Sequence, residues 1–155
     1  MRTTLALVSL ATIVSGCNKT DEAHCLLDEI DPDTIVSSIE VTTTTGSSGT
    51  DSDIYLDVEL DPGNDMSLYL DDPSSDDFET GSVATYRADV AGFTAGAVAK
   101  MDLRKDSSLF EGGDWRLDGL TIVFVEDDGT ESVAYDNPEV DELLTGDETH
   151  HLRCP

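Results

Sequence analysis

Short runs in which apolar and polar residues alternate with period two dominate this chain, and that period belongs to half-buried β-strands. Ile39, Val41 and Thr43 alternate, as do Ile54, Leu56, Val58 and Leu60, then Met66, Leu68 and Leu70. Ala84, Tyr86, Ala88 and Val90 follow, then Ala97, Ala99, Met101 and Leu103. Trp115 and Leu117 share a face, which makes Trp115 a core residue. Leu120, Ile122 and Phe124 continue that face after a one-residue slip at Asp118-Gly119, which predicts a bulge. The breaks between runs are rich in turn residues, and Asp127-Asp128-Gly129 predicts a hairpin turn. "NPEVDELL", from Asn137, fits either one helical turn or an extended return strand. Beyond the first residues no stretch sustains an apolar stripe of period 3.6. A chain of 155 residues is enough for one domain with a real core. The expectation is all-β: an antiparallel β-sandwich of about seven to eight strands.

Charge narrows the partners. Thirty-four acids against eight bases give a formal charge of -26, so nucleic acid and bare anionic lipid headgroups are poor partners. The acids run through the same segments as the Ile, Leu and Val, so they are not a detachable tail. Such a surface suits multivalent cations or a salt-adapted protein, and composition does not separate the two.

The first residues differ in kind. "MRTTLALVSLATIVSGC" has one cation, Arg2, an apolar run from Leu5 to Val14, and then small residues. That run is too short to span a bilayer and has the layout of an export signal. Its end, Val14-Ser15-Gly16-Cys17, resembles a bacterial lipobox, in which the cysteine thiol receives the lipid. The expected organisation is a signal peptide over 1–16, a lipidated Cys17 with a tether over 17–33, and the folded domain over 34–155. The expected location is the bacterial cell envelope, at the outer membrane or the cell surface. The alternative is an ordinary secretory signal with a chance cysteine. An exported chain with two further cysteines, Cys25 and Cys154, one near each end of the folded part, reads as a disulfide that staples the termini. Two free thiols are the alternative.

Three blocks in order carry a family resemblance. "IEVTTTTGSSGTDSDIYLDVEL" supplies Thr45-Gly46, Gly49-Thr50-Asp51 and Ile54-Tyr55-Leu56; "DDFETGSVATYRADV" supplies Phe78, Glu79, Gly81 and Tyr86. "DWRLDGLTIVF" supplies Trp115, Leu117, Leu120 and Ile122. Together they resemble the PLAT (LH2) domain from about Ile35 to Phe124. Where the family often has His-Asp before the tryptophan block, this chain has Lys105-Asp106, and the Met66–Leu70 region is short. The resemblance implies a sandwich that attaches to membranes or protein partners. It also implies a tentative Ca²⁺ site between loops at one end. Position by position, Gly49 and Thr50 would supply backbone carbonyls, and Asp71, Asp72 and Asp76 or Asp77 carboxylates. A second ion would use Asp51 or Asp53 with Asp106. Calcium takes six to eight oxygens in flexible geometry, which suits clustered aspartates on loops. The alternative reading of the same acids is a solvated surface.

Catalytic patterns are missing. His24, His150 and His151 lack the spacing of a zinc site, and "HH" beside Arg153 reads as an exposed end. There is no Gly-x-Ser-x-Gly elbow and no phosphate-cradling Gly-Lys-Ser loop. "DPDTIVSSIE" lacks the glycine of an EF-hand, and Asp71 with Asp76 is only a formal glycosidase pair. The expected function is therefore a non-enzymatic, envelope-anchored binding lipoprotein that docks to a membrane or protein partner. A small envelope enzyme or enzyme accessory using the acidic face, or a structural lipoprotein with no ligand, are the competing classes. The lipobox reading predicts that Cys17→Ser abolishes lipid attachment and leaves the precursor uncleaved. Detergent partitioning checks this, and unchanged membrane partitioning of the variant would refute it.

Overall fold

The computed structural model describes residues 24–71, 78–107, 113–152 and 154. The described residues form nine strands and two short 3₁₀ turns. The strands are β1 (Ile35–Thr45), β2 (Asp53–Leu60), β3 (Met66–Leu70), β4 (Val83–Thr94) and β5 (Val98–Asp106). They continue with β6 (Trp115–Val125), β7 (Glu131–Asn137), β8 (Glu142–Leu144) and β9 (Thr149–Leu152). One sheet runs β4-β1-β6-β7, with β8 also paired to β6; the other runs β3-β2-β5-β9. Every pairing is antiparallel. The expected β-sandwich is the observed one, close to the expected strand count.

Alternation places the core between the sheets. Ile39, Val41, Leu120, Ile122 and Phe124 from one sheet meet Ile54, Leu56, Val58, Met101 and Leu103 from the other, all essentially inaccessible. The expected bulge is present: the β1–β6 register slips between Thr44 and Thr45, where Gly119 and Leu117 are the successive partners and Asp118 is the extra residue. The slip also changes β6's outer partner, from β8 along Trp115–Leu117 to β7 along Leu120–Val125. The "NPEVDELL" segment therefore resolves as extended. The hairpin turn after β6 forms as expected, with Gly129 at φ 85° and its amide bonded to the Glu126 carbonyl. One alternating run is shorter than expected. Ala97 ends a 3₁₀ turn and Ala99 is exposed at a register slip between Glu59 and Leu60, so the inward face of β5 begins at Met101.

The segment expected to be a tether is partly docked. Leu26 N–H donates to the Ala134 carbonyl, Asp136 N–H donates to the His24 carbonyl, and Ile30 is buried in the core. Cys17 lies outside the described residues. Cys25 forms a bridge with Tyr135 of β7, and its sulfur is bonded to Cys154 just beyond β9, with the two Cα atoms 5.2 Å apart. β7 and β9 belong to different sheets, so the disulfide ties the sheets together at one edge. It closes a loop of sequence separation 129. Chain entropy alone credits such a closure with about 5 kcal/mol, an upper figure. The Cys25→Ser/Cys154→Ser double variant should lose about 2–5 kcal/mol in urea unfolding. Free thiols at both positions in peptide maps of oxidised protein would refute the pairing.

Candidate functional site

Three segments that are distant in sequence meet at the end of the sandwich where β1 finishes and β2 and β6 begin. Gly46 N–H donates to the Arg116 carbonyl (2.7 Å), and Arg116 N–H returns a bond to the Ser48 carbonyl (2.9 Å). Thr50 N–H donates to the Phe78 carbonyl, while its hydroxyl donates to the Gly113 carbonyl (3.2 Å) and accepts from Ser52 N–H. Gly49 has to be glycine for space: a Cβ there would sit 2.6 Å from the Phe78 carbonyl oxygen and 2.9 Å from the Thr80 nitrogen. Gly81 N–H bonds the carbonyls of Thr45 and Gly46. Beneath this clamp Trp115, fully buried, donates its indole N–H to the Thr45 hydroxyl (3.0 Å). Phe78 stacks on Tyr86 and meets Trp115 edge-on at 5.1 Å. Phe78 holds φ 57°, a left-handed backbone that a bulky residue adopts only under such constraint.

The acids named from sequence divide accordingly. Asp51, Asp53, Asp71 and Asp106 are exposed. Asp53 and Asp106 stand directly opposite each other where β2 starts and β5 ends, and Asp71 follows β3 at the same sheet end. Like charges directly across a strand pair repel. Two neighbours relieve them in part: the Tyr69 hydroxyl donates to Asp53 (3.0 Å), and the Arg104 guanidinium holds Asp106 (2.8 Å). The bond to Asp53, with Asp71 nearby, pushes the Tyr69 phenol up to about 12. Asp72, Asp76 and Asp77 lie outside the described residues. Gly49 packs against the Phe78–Thr80 backbone, and the Thr50 amide and hydroxyl are spent on joining the neighbouring loops. Among the described residues no three His, Cys, Asp or Glu side chains lie close enough to share a metal ion.

Sequence reasoning missed Lys105. It continues the inward face of β5 after Met101 and Leu103, and only 1% of it is accessible. Its Nζ donates to the Ser107 hydroxyl and to the Gly146 carbonyl, both at 2.8 Å. Ser107 in turn donates its hydroxyl to Gly146 and its amide to the Asp147 carboxylate (2.7 Å). Burial pushes the ammonium below its ordinary value, opposed by the charges of Asp114, Asp147 and Glu148. A lysine in an otherwise apolar inward series is the signal that could have revealed it. The paired histidines also differ from expectation. They are not a loose end but part of β9, where His150 pairs with Glu142 and His151 with Asp102 (2.9 Å). A depression of about 410 Å³, away from the loop clamp, is lined by His24, Tyr135, Asn137, Glu142 and His150 among others.

Comparison with known proteins agrees with this geometry. Residues 38–138 match the family model described as PLAT/LH2 domain. No curated protein matches the chain. Among solved structures, the alpha toxin of Clostridium absonum superposes with a TM-score of 0.69 at 22% identity, over 81% of this chain and 34% of the toxin. The Clostridium perfringens alpha-toxin from an avian strain gives 0.67 at 21% identity, over 79% of this chain and 33% of the toxin. Coral 8R-lipoxygenase, described as activated by calcium through a C2-like domain, gives 0.54 at 26% identity, over 73% of this chain and 16% of the enzyme. The chain thus spans about a third or less of the length of each of these structures.

The Lys105 assembly yields a measurable pH dependence. Its folded value is lowered, so between that value and 10.5 the unfolded chain binds the extra proton and the folded one does not. Stability attributable to Lys105 therefore rises with pH through that alkaline window. Lys105→Met should cost about 1–3 kcal/mol at neutral pH by removing the two buried bonds its ammonium donates, to the Ser107 hydroxyl and the Gly146 carbonyl. The gap to the parent should widen as pH approaches 10.5, followed by urea unfolding. A gap independent of pH would show that the buried ammonium does not titrate as described.

Proposed function

Because the chain belongs to the PLAT/LH2 domain family, a membrane- and lipid-binding module often associated with Ca²⁺, we propose that it is a non-catalytic docking module held at the cell envelope by lipid on Cys17. Its loop end takes up Ca²⁺ and presents it to a membrane or protein partner. The observation that carries this reading is the acid gathered at the clamped end and only partly relieved by Tyr69 and Arg104: Asp53 opposite Asp106, with exposed Asp51 and Asp71 at the same end.

The donors suit the ion. Carboxylates and loop carbonyls are hard oxygen ligands, which calcium accepts in irregular arrangements. Asp71 with the Gly49 and Thr50 carbonyls would begin one set, which Asp72 with Asp76 or Asp77 would complete, and Asp51 or Asp53 with Asp106 would serve a second ion. When bound, calcium supplies positive charge that neutralises this end and bridges to anionic groups outside the chain. The chain's own residues hold the loops in place: Thr50 joins the segment at Phe78, before β4, to that at Gly113, before β6, and Gly49 allows the backbones to touch. A chain of net charge -26 approaches an anionic bilayer only if that end is neutralised, so calcium and docking belong together.

Calcium should stabilise the folded state, since the unfolded chain has no assembled site. At a hundred times the dissociation constant the gain is about 2.7 kcal/mol, or several degrees in Tm. NaCl at matched ionic strength is the control, because salt alone relieves acidic repulsion. Asp71→Asn should reduce the calcium-specific part of the shift. Equal shifts in CaCl₂ and matched NaCl would instead make the acids a solvated surface and end the calcium reading.

A further inference from the structure

The outer face of the β3-β2-β5-β9 sheet is built in rows. One row, crossing the strands, is Tyr69, Tyr55, Arg104 and Thr149. The row on one side carries Asp53 and Asp106; the row on the other carries Ser67, Asp57, Asp102 and His151. An aromatic pair is thus set between two lines of carboxylates. Tyr55 and Tyr69 lie 5.2 Å apart with their planes tilted by 34°, and Tyr69 remains 51% exposed. A half-exposed ring on an edge strand gains little from folding, so core packing does not account for it.

The face already holds one guanidinium. Arg104 lies over the Tyr55 ring, 4.5 Å from its centroid, and bonds Asp57 (2.7 Å) on one side and Asp106 (2.8 Å) on the other. One ring and two flanking carboxylates make a complete receptor for an arginine head: the ring attracts the cation and the carboxylates take the planar fork. Tyr69 presents a second ring one strand further out, with both carboxylates on one side of it: Asp53 fixes its hydroxyl and Asp71 follows on its own strand, while Ser67 stands on the other side. Among the described residues no cation lies over its ring. Next to it, a depression of about 310 Å³ is lined by Asp57, Glu59, Asp65, Met66 and Asp102, with Lys100 as its one base.

We infer that this face docks a basic, arginine-bearing segment of a protein partner, with an incoming guanidinium stacking on Tyr69 as Arg104 stacks on Tyr55 and turning its fork to the adjacent Asp53 and Asp71. The depression beside it receives a second basic side chain of the same segment. Charge complementarity selects the partner: a face rich in carboxylates on a chain of charge -26 attracts cationic peptide and repels nucleic acid and anionic lipid. Arginine is favoured over lysine because only its planar head stacks on the ring and reaches both carboxylates together. The inference goes beyond the docking role proposed above and does not require calcium.

Fluorescently labelled octa-arginine and octa-lysine, titrated into the purified protein in EDTA at about 0.15 M ionic strength, test it. Octa-arginine should bind several-fold more tightly than octa-lysine. Tyr69→Leu should weaken octa-arginine about fivefold and abolish the preference, while Tyr69→Phe keeps both because the ring remains. Asp31→Asn, which removes a charge far from this sheet in sequence, should change neither. Equal binding of the two peptides by the parent, read without any variant, would mean general acid attraction only and overturn the proposal. Equal loss in Tyr69→Leu and Tyr69→Phe would overturn it too. So would Tyr69-dependent binding to neutral phosphatidylcholine vesicles without Tyr69-dependent peptide binding, which would assign the ring to a membrane.

Discussion

The indole of Trp115 sets the terms for the functional end of this molecule. A fully buried ring must give its N–H a partner, and the partner is the Thr45 hydroxyl at the last residue of β1. That bond fixes how far β1 runs beside β6. The strand's final register slips there, with Asp118 pushed out, and β6 turns from one outer neighbour to the other. Phe78 then closes the ring's other side and, through its carbonyl, captures Thr50. One buried aromatic therefore brings the first and second loops to a common place and holds the start of β6 there.

Around that neutral centre the protein has to manage its acids with few bases. Arg87 pairs with Glu40, Lys100 with Asp102, Arg104 with Asp57 and Asp106, and Arg116 with Asp118 and Asp141. Such exposed pairs each contribute about 0–1 kcal/mol, too little to offset a charge of -26. Their effect is positional. Arg104 separates Asp57 from Asp106 while covering Tyr55, and Arg116 anchors the bulged Asp118. Lys105 differs because it is inside: its bonds to Ser107 and Gly146 draw the turn before β9 against the end of β5. The exposed described bases are thus engaged in arranging the acids, and at the loop end only Asp106 has a cation, Arg104, beside it.

Most of the scaffold was legible because its cause is local. Alternation over four residues is enough to show a half-buried strand, so β1, β2 and β6 stood out, and Asp118-Gly119 betrayed its bulge by breaking phase. The Cys25–Cys154 pairing was expected from the cysteine count and the export-like start of the sequence. Features whose cause is remote were not legible. "THHL" has no apolar rhythm; it is a strand because β5 offers it an edge and because Cys154 is tied to Cys25. His24 to Ile30 look like tether until β7 supplies carbonyl and amide partners more than a hundred residues later. Lys105 reads as a surface charge unless one knows that a carbonyl 41 residues on will meet it. Ala99 fits the alternation, yet the slip opposite Leu60 turns it outward. At the loop end, the clamp was readable from the Gly-Thr-Asp and Phe-Glu-x-Gly blocks, but Asp72, Asp76 and Asp77 lie beyond the described residues.

The residues that identify the family are, in this structure, the ones that build the end of the sandwich. Thr45 caps an indole, Gly49 admits a neighbouring backbone, Thr50 joins two loops, and Phe78 with Trp115 fills the space beneath. The side chains of Thr45, Thr50, Phe78 and Trp115 are all buried. Recognition must then reside in positions the motif does not specify, and a shared fold leaves those positions free to differ. In this chain they are the exposed aspartates at the strand ends, the buried Lys105 where a His-Asp pair often stands, and the tyrosine row on the outer sheet. The loop end and the tyrosine row share Asp53, which accepts from Tyr69 and faces Asp106. A carboxylate placed at that junction belongs to both surfaces, and a charge brought to either one changes the field at the other.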